Sequence, residues 1–270
     1  MAGAPVSVGE LDVRICQLAS GSKGNSLYIE SEKTRILIDA GLSALQISRR
    51  LEQIGVEADS LDAVFVTHEH SDHCRGLGPL SRRHKLPIFF HPATHAAIDK
   101  LGSVEERFFD IGEMVEFQDL QVMPFPITHD AAAPVGFVVE TREGKIGVAT
   151  DMGIATRLVQ QNLRQCRVLV VETNHDEEML RDGPYPWPLK QRIRGNHGHL
   201  SNVDGARLLQ QVLWDGLDAV FLAHLSETNN TPQLAQHCVQ RVLEAQNMCQ
   251  PQMITGAPHV VSRCFDSGLS

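Results

Sequence analysis

No run of eighteen apolar residues occurs in the 270-residue chain, so nothing in it reads as a membrane-spanning helix and no membrane partner is expected. Residues 1–10 have neither a basic start nor an apolar stretch of signal-peptide length. They are expected to form a flexible N-terminus on a chain that stays in the cytoplasm. The six cysteines show no CxxC pairing, which speaks against a paired-thiol site and for reduced thiols. Low-complexity tracts and visible repeats are missing, and no Pro/Gly-rich linker divides the chain, so residues 1–270 are expected to form one domain. Positive charge is also scarce. With 24 Lys and Arg against 33 Asp and Glu the net charge is −9, which argues against extensive contact with a polyanion.

What the chain does have is a dense cluster of metal-ligating residues. Residues 67–73 read Thr-His-Glu-His-Ser-Asp-His, directly after the apolar segment 61–66. Residues 63–67 read as a short buried strand, so the cluster begins where a strand ends, the usual place for sites in α/β folds. In an extended or turning backbone His68 and His70 face the same way, while Asp72 and His73 fall in the turn and can face a second point. One loop can therefore serve two ions. Cys74 follows the cluster and reads as a bystander.

Three more ligand-type residues each end a predicted strand: His129, Asp151 and His224. In this order the residues resemble the metallo-β-lactamase superfamily, with its HxHxDH pattern followed by a lone His, a lone Asp and a final His. The resemblance implies His68, His70 and His129 on one ion, Asp72, His73 and His224 on a second, and Asp151 bridging them. It implies two divalent ions; a nitrogen and oxygen ligand set admits zinc or manganese, with iron also open.

Alternation and apolar runs predict strands at residues 12–18, 25–30, 34–39, 63–67, 87–90, 113–117, 120–125, 135–141, 144–150, 168–172 and 219–223. Ser43 can cap a helix to Gln53 with Leu45, Ile47, Leu51 and Ile54 as its buried stripe. Ser201 can cap a helix over 203–213, and Thr231-Pro232 opens one reaching about Ala245. Strands interleaved with helices suit an α/β architecture of two packed mixed sheets flanked by helices. This matches the αββα sandwich of the resembled superfamily.

The remaining motifs narrow the branch. Residues 18–26 form a small polar glycine-bearing turn able to aim backbone N–H groups at an anion, although such a turn is often only a tight connection. Glu172, in Val-Glu-Thr-Asn-His-Asp (171–176), and His199, in Gly-Asn-His-Gly-His-Leu-Ser-Asn (195–202), occupy the places where phosphodiesterase members of the superfamily carry an acid–base pair. A carboxylate favours the protonated form of an imidazole beside it, ready to donate to a leaving alkoxide. Blander roles stay open: Glu172 as a helix cap, His199 packing near Trp187. With Leu-Ser-Glu-Thr-Asn-Asn-Thr-Pro (225–232) after His224, the set from about Leu18 to Pro232 resembles the WalJ/YycJ family of bacterial metallo-β-lactamase-fold proteins. That resemblance implies 5′-to-3′ exonuclease action on DNA and a part in mismatch repair. Lys23 and Thr173 depart from the pattern without removing a ligand. Lys23 leaves open how closely its turn approaches a phosphate.

The intervals agree with this branch. Only 22 positions separate His129 and Asp151, too few for the long arm of tRNA-processing relatives. The 73 positions from Asp151 to His224 are filled by ordinary elements, which leaves no room for a β-CASP domain. Local basic segments offset the acidic balance: Arg82-Arg83-His84-Lys85, and Lys190, Arg192 and Arg194 just before the His199 motif. Residues 184–188, Pro-Tyr-Pro-Trp-Pro, form a stiff aromatic segment on which a base could stack, with core packing of Trp187 an equal alternative. The expected function is thus metal-assisted phosphodiester hydrolysis with Asp72, Glu172 and His199 catalytic. Ser20, Ser22, Asn25, Asn174, His175, Lys190, Arg192 and Arg194 are expected to meet the substrate. DNA is the expected partner, with RNA, a homodimer and repair proteins left open. A cyclic phosphodiesterase, a weak β-lactamase or a non-catalytic regulatory protein are the competing readings.

Overall fold

The computed structural model describes residues 13–269; Asp12 and the expected flexible segment 1–10 lie outside the described residues. The chain first lays down β1 (Arg14–Ala19), β2 (Ser26–Glu30), β3 (Arg35–Ile38), β4 (Ala63–Phe65), β5 (Pro87–Phe90) and β6 (Glu105–Phe108). It then builds β7 (Val115–Phe117), β8 (Leu120–Pro126), β9 (Val135–Thr141), β10 (Gly144–Ala149), β11 (Cys166–Glu172), β12 (Ala219–Ala223) and β13 (Gln252–Thr255), and returns to the first sheet with β14 (Phe265–Asp266). Each group forms one mixed seven-stranded sheet, ordered β14-β1-β2-β3-β4-β5-β6 and β13-β12-β11-β10-β9-β8-β7.

The alternation of side chains decides the layering. One face of each sheet sends Ile15, Ile29, Phe65, Phe137, Val148 and Phe221 into a shared interior. There Phe65 stacks on Phe89 at 4.4 Å and meets Phe137 edge-on at 6.0 Å, which ties the two sheets together. The outer faces are apolar too, because parallel strands need helices on both sides. On the first sheet the cover includes α1 (Ala44–Gln53), α2 (Ser71–Cys74) and α3 (Leu77–His84), and α4 (Pro92–Ala97) sets His95 against Phe90 of β5 at 5.3 Å. After β10 come α5 (Arg157–Leu163), α6 (Glu177–Asp182), α7 (Trp187–Arg194), α8 (Asn202–Val212) and α9 (Pro232–Glu244), of which α5, α8 and α9 pack on the second sheet. The expected αββα sandwich is what forms. No helix among the described residues is long and apolar enough to cross a membrane.

The expected caps also form: Ser43 accepts from Gln46 N, Ser201 from Asp204 N and Thr231 from Leu234 N. The α1 stripe is narrower than its periodicity predicts. Ile47 and Leu51 are buried, but Leu45 is 51% exposed, and Arg50 is buried instead, donating to the carbonyls of Leu18 (2.7 Å) and Pro258 (3.0 Å). Strand β6 has no sequence signature because it is an edge strand whose Glu-Glu-Arg-Phe side chains are all exposed. Strands β13 and β14, and the one- to two-turn helices α2 to α7, are too short to establish a period.

Strand direction sets the place of the site. Strands β3 and β4 are parallel, as are β10, β11 and β12, while β8 runs with β10 because both are antiparallel to β9. The C-terminal ends of β4, β8, β10 and β12 are followed by His68, His129, Asp151 and His224, and β11 ends on Glu172.

Candidate metal centre

At this rim the ligand-type residues meet in four groups whose donor atoms all lie within 4.8 Å of one another: His68, His70 and His129; Asp72, His73 and His224; His68, His73 and Asp151; and Asp151 and His224 with Glu172 and His199. In the first group His70 Nδ1 is 3.1 Å from His68 Nε2 and 3.3 Å from His129 Nε2. The far nitrogens are already engaged, His68 Nδ1 by Thr67 Oγ1 (2.9 Å) and His129 Nδ1 by the Gly198 carbonyl (3.3 Å). That fixes which edge faces inward, as metal-binding imidazoles require. Asp151 stands between the first two groups: Oδ2 is 3.4 Å from His73 Nε2, while Oδ1 is 3.3 Å from His224 Nε2 and 4.0 Å from His129 Nε2.

Asp39, which the sequence reading did not single out, completes the second group from behind. Its carboxylate accepts from Thr67 N and Thr67 Oγ1, both 2.8 Å, and lies 2.7 Å from His73 Nδ1, so His73 presents Nε2 to the centre. The available signal was the one used for Asp151, a carboxylate directly after a buried strand. Asp39, Asp151 and His224 all have left-handed backbones, with φ of 63°, 59° and 57°. Each such residue costs roughly 1–2 kcal/mol, and the surrounding hydrogen bonds hold it there.

Local backbone contacts lock the His-rich turn. Asn25 N donates to the Asp72 carbonyl (2.7 Å), Ala40 N to the His73 carbonyl (2.8 Å) and Gly41 N to the Asn25 carbonyl (2.8 Å). Only glycine fits at 41, because a Cβ there would come within 1.6 Å of the Asp72 carbonyl oxygen. Asn25 Nδ2 also reaches His73 Nε2 at 3.0 Å.

Glu172 is fully buried and receives four donors. Its Oε2 accepts from Met152 N (2.9 Å) and Leu200 N (3.2 Å), and its Oε1 faces His199 Nδ1 (2.8 Å) and His224 Nδ1 (3.1 Å). One carboxylate thus orients both the final histidine and His199. It does not cap a helix; Asp176 caps α6. His199 stands half-buried on a loop that requires Gly198, whose Cβ would meet the Ile193 carbonyl at 2.2 Å. Trp187 does not pack beside it in the core but is 62% exposed.

The electrostatics favour a cation. Burial pushes the carboxyls of Asp72, Asp151 and Glu172 up, but the surrounding imidazoles outweigh it and hold all three below the usual carboxylate range. Burial pulls His73 and His224 down, yet Asp151 and the other carboxylates beside them raise both, His73 to about 9. Burial and neighbouring histidines lower His68, and burial lowers His129. Among the described residues Asp151 Oδ2 and His224 Nε2 are buried without a hydrogen-bond partner. Convergent imidazole nitrogens, anionic oxygens and orphaned acceptors are the donor set of a divalent metal site, so the residues fit the expected ions.

Several residues expected at the substrate turn out to serve the protein. Ser20 is buried, and its Oγ accepts from His224 N (2.7 Å). His175 is buried against Asn174, with burial lowering it to about 4. Lys190 corrects the expected basic patch: it is buried, and Nζ donates to the Arg181 carbonyl at the end of α6 (2.7 Å). Arg192 lines the site but is paired to Asp130 through Nε (2.7 Å) and Nη2 (2.5 Å), while Arg194 is exposed. Ser22 and Asn174 line the cavity beside the centre, and Lys23 pairs with Glu227 at 2.9 Å. The Cys74 thiol donates to the His68 carbonyl (3.1 Å), facing the backbone, and all six cysteines are unpaired.

An αββα sandwich with this histidine and aspartate rim defines a metallo-β-lactamase-fold protein. The beta-lactamase superfamily domain matches residues 34–224. The chain is 38% identical over 231 residues to exodeoxyribonuclease YycJ of Bacillus anthracis, covering 84% of this chain and 88% of that one. It is 36% identical over 234 residues to exodeoxyribonuclease WalJ of Streptococcus pneumoniae, covering 84% and 87%. It belongs to the YycJ/WalJ family of the beta-lactamase superfamily. Among solved structures, the metallo-β-lactamase-fold protein YhfI from Bacillus subtilis shares the fold with a TM-score of 0.73 at 15% identity, over 94% of this chain and 99% of that one.

Proposed function

We propose that the protein is a dinuclear-metal exodeoxyribonuclease acting on DNA ends from 5′ to 3′. In this reading His68, His70 and His129 hold one ion, Asp72, His73 and His224 the other, and Asp151 lies between them. The ions, zinc, manganese or iron, would supply a water of lowered pKa and positive charge against the phosphoryl oxygens. Glu172 turns the Nδ1 edge of His199 toward itself, which leaves Nε2 to carry a proton to the leaving oxygen.

The observation that carries this reading is the 2.8 Å contact between Glu172 Oε1 and His199 Nδ1, which places an imidazole with a buried carboxylate partner at the edge of the His68, His70, Asp72, His73, His129, Asp151 and His224 cluster. A DNA alkoxide is a poor leaving group and needs such an acid. The names of the relatives from Bacillus anthracis and Streptococcus pneumoniae agree with it. A single catalytic unit working in the cytoplasm in DNA repair completes the reading.

The test offers purified protein, reloaded with manganese or zinc, 5′-labelled duplex DNA, single-stranded DNA, RNA, bis(p-nitrophenyl) phosphate and a cephalosporin. The reading requires stepwise shortening of DNA from its 5′ end. Hydrolysis of the cephalosporin alone, or shortening of RNA but not DNA, would replace it.

A further inference from the structure

Next to the ligand cluster lies a cavity of about 190 Å³ whose lining comes from two chemically different sources. The loops after β1, β11 and β12 contribute small polar side chains, Ser22, Asn174 and Ser226. The apolar part comes from α7 and from Tyr185, two positions before it. Leu189 and Ile193 are four positions apart on one helical face, and Tyr185 stands four positions before Leu189. Trp187, in the same segment, is outside the lining and exposed. His199 and His224 also line the cavity, so it opens onto the centre itself. The Arg192–Asp130 pair links α7 to the residue following His129.

We propose that this cavity is the subsite for the terminal nucleotide of a DNA strand, with its base stacked on Tyr185. This rests on the exonuclease reading above. His199 supplies the link, because a group that protonates a leaving oxygen must touch the fragment that departs, and His199 is a wall of this cavity. The fragment held here is therefore the one released. The bond between phosphorus and the 3′-oxygen of the terminal nucleotide breaks, and the oxygen of a water forms the new bond to phosphorus. The electron pair left on the 3′-oxygen takes the proton of His199, and the proton lost by the water passes to solvent. An aromatic face accepts every base in turn, which suits an enzyme that removes whatever nucleotide comes next.

The experiment compares two single strands, one beginning with an ordinary nucleotide and one with a tetrahydrofuran abasic residue. Each is offered to the metal-loaded wild type and to Tyr185→Phe, Tyr185→Leu and Tyr185→Ala, with release of the first nucleotide as the readout. The wild type should prefer the ordinary strand in kcat/KM by roughly five- to 150-fold, the range of base–aromatic stacking. Tyr185→Phe should keep that preference. Tyr185→Leu and Tyr185→Ala should bring the ratio toward one, with the loss on the ordinary strand mainly in KM. If Tyr185→Ala fails to fold by circular dichroism, the Leu and Phe variants decide. A wild type that does not distinguish the strands, or a preference that survives Tyr185→Leu, overturns the subsite alone. A wild type that shortens neither strand overturns the exonuclease reading and the subsite with it.

Discussion

Asp39 Oδ2 lies 2.7 Å from His73 Nδ1, and both side chains are buried. This contact sets the ring so that Nε2 points toward Asp72 and Asp151, and the same carboxylate closes the end of β4 through Thr67. Asp39 therefore links the strand scaffold to one half of the ligand set.

Asp39→Asn should weaken binding of the ion at His73 by about 10- to 100-fold, the usual cost of losing a partner behind a metal ligand. Chelator competition, followed by elemental analysis, reads this directly. Loss of metal by the variant and the wild type at the same chelator concentration would show that His73 orients without Asp39.

His199→Ala should cut DNA turnover by about 10²–10⁴-fold while metal content and folding stay intact. The loss should depend on the leaving group, because p-nitrophenolate departs without protonation. Equal losses on DNA and on bis(p-nitrophenyl) phosphate would remove His199 from the acid role. An emptied metal position in the same variant would make it a ligand.

Lys190 and Arg194 should separate into two kinds of basic residue. Arg194→Ala should lower the salt slope of DNA binding by about one unit, with little change in stability. Lys190→Ala should leave the slope alone and lower the melting temperature, since it deprives the Arg181 carbonyl of its donor. Binding isotherms across salt concentrations, paired with thermal melts, check both. A slope change confined to Lys190→Ala would reverse the assignment.

Gly41→Ala should be among the most damaging substitutions, because its Cβ would overlap the carbonyl of Asp72. Moving the Asp72 turn disturbs Asp72 and His73 together, so a loss of about 4–5 kcal/mol and a depleted metal content are expected. A denaturant midpoint matching the wild type would show that the turn shifts without cost.

The sequence by itself determined the features that live in short stretches of chain. The ligand cluster at His68, His70, Asp72 and His73, the later His129, Asp151 and His224, most of the strands and the helix caps are all local patterns, because strand period and cap chemistry act over a few residues. The αββα sandwich followed from those patterns and from the family they resemble. Tertiary structure decided how side chains distant in sequence share one space. It put Asp39 behind His73 across 34 positions, and it gave Glu172 to His199 and His224 at once. The same long-range packing turned Lys190 inward while leaving Trp187 in solvent, and put Tyr185 rather than Trp187 beside the centre. A basic or aromatic residue carries no local mark of which way it faces, because in helices of one or two turns the apolar period is too brief to fix the buried side, and the contacts that choose it come from other elements, as the Arg181 carbonyl of α6 does for Lys190.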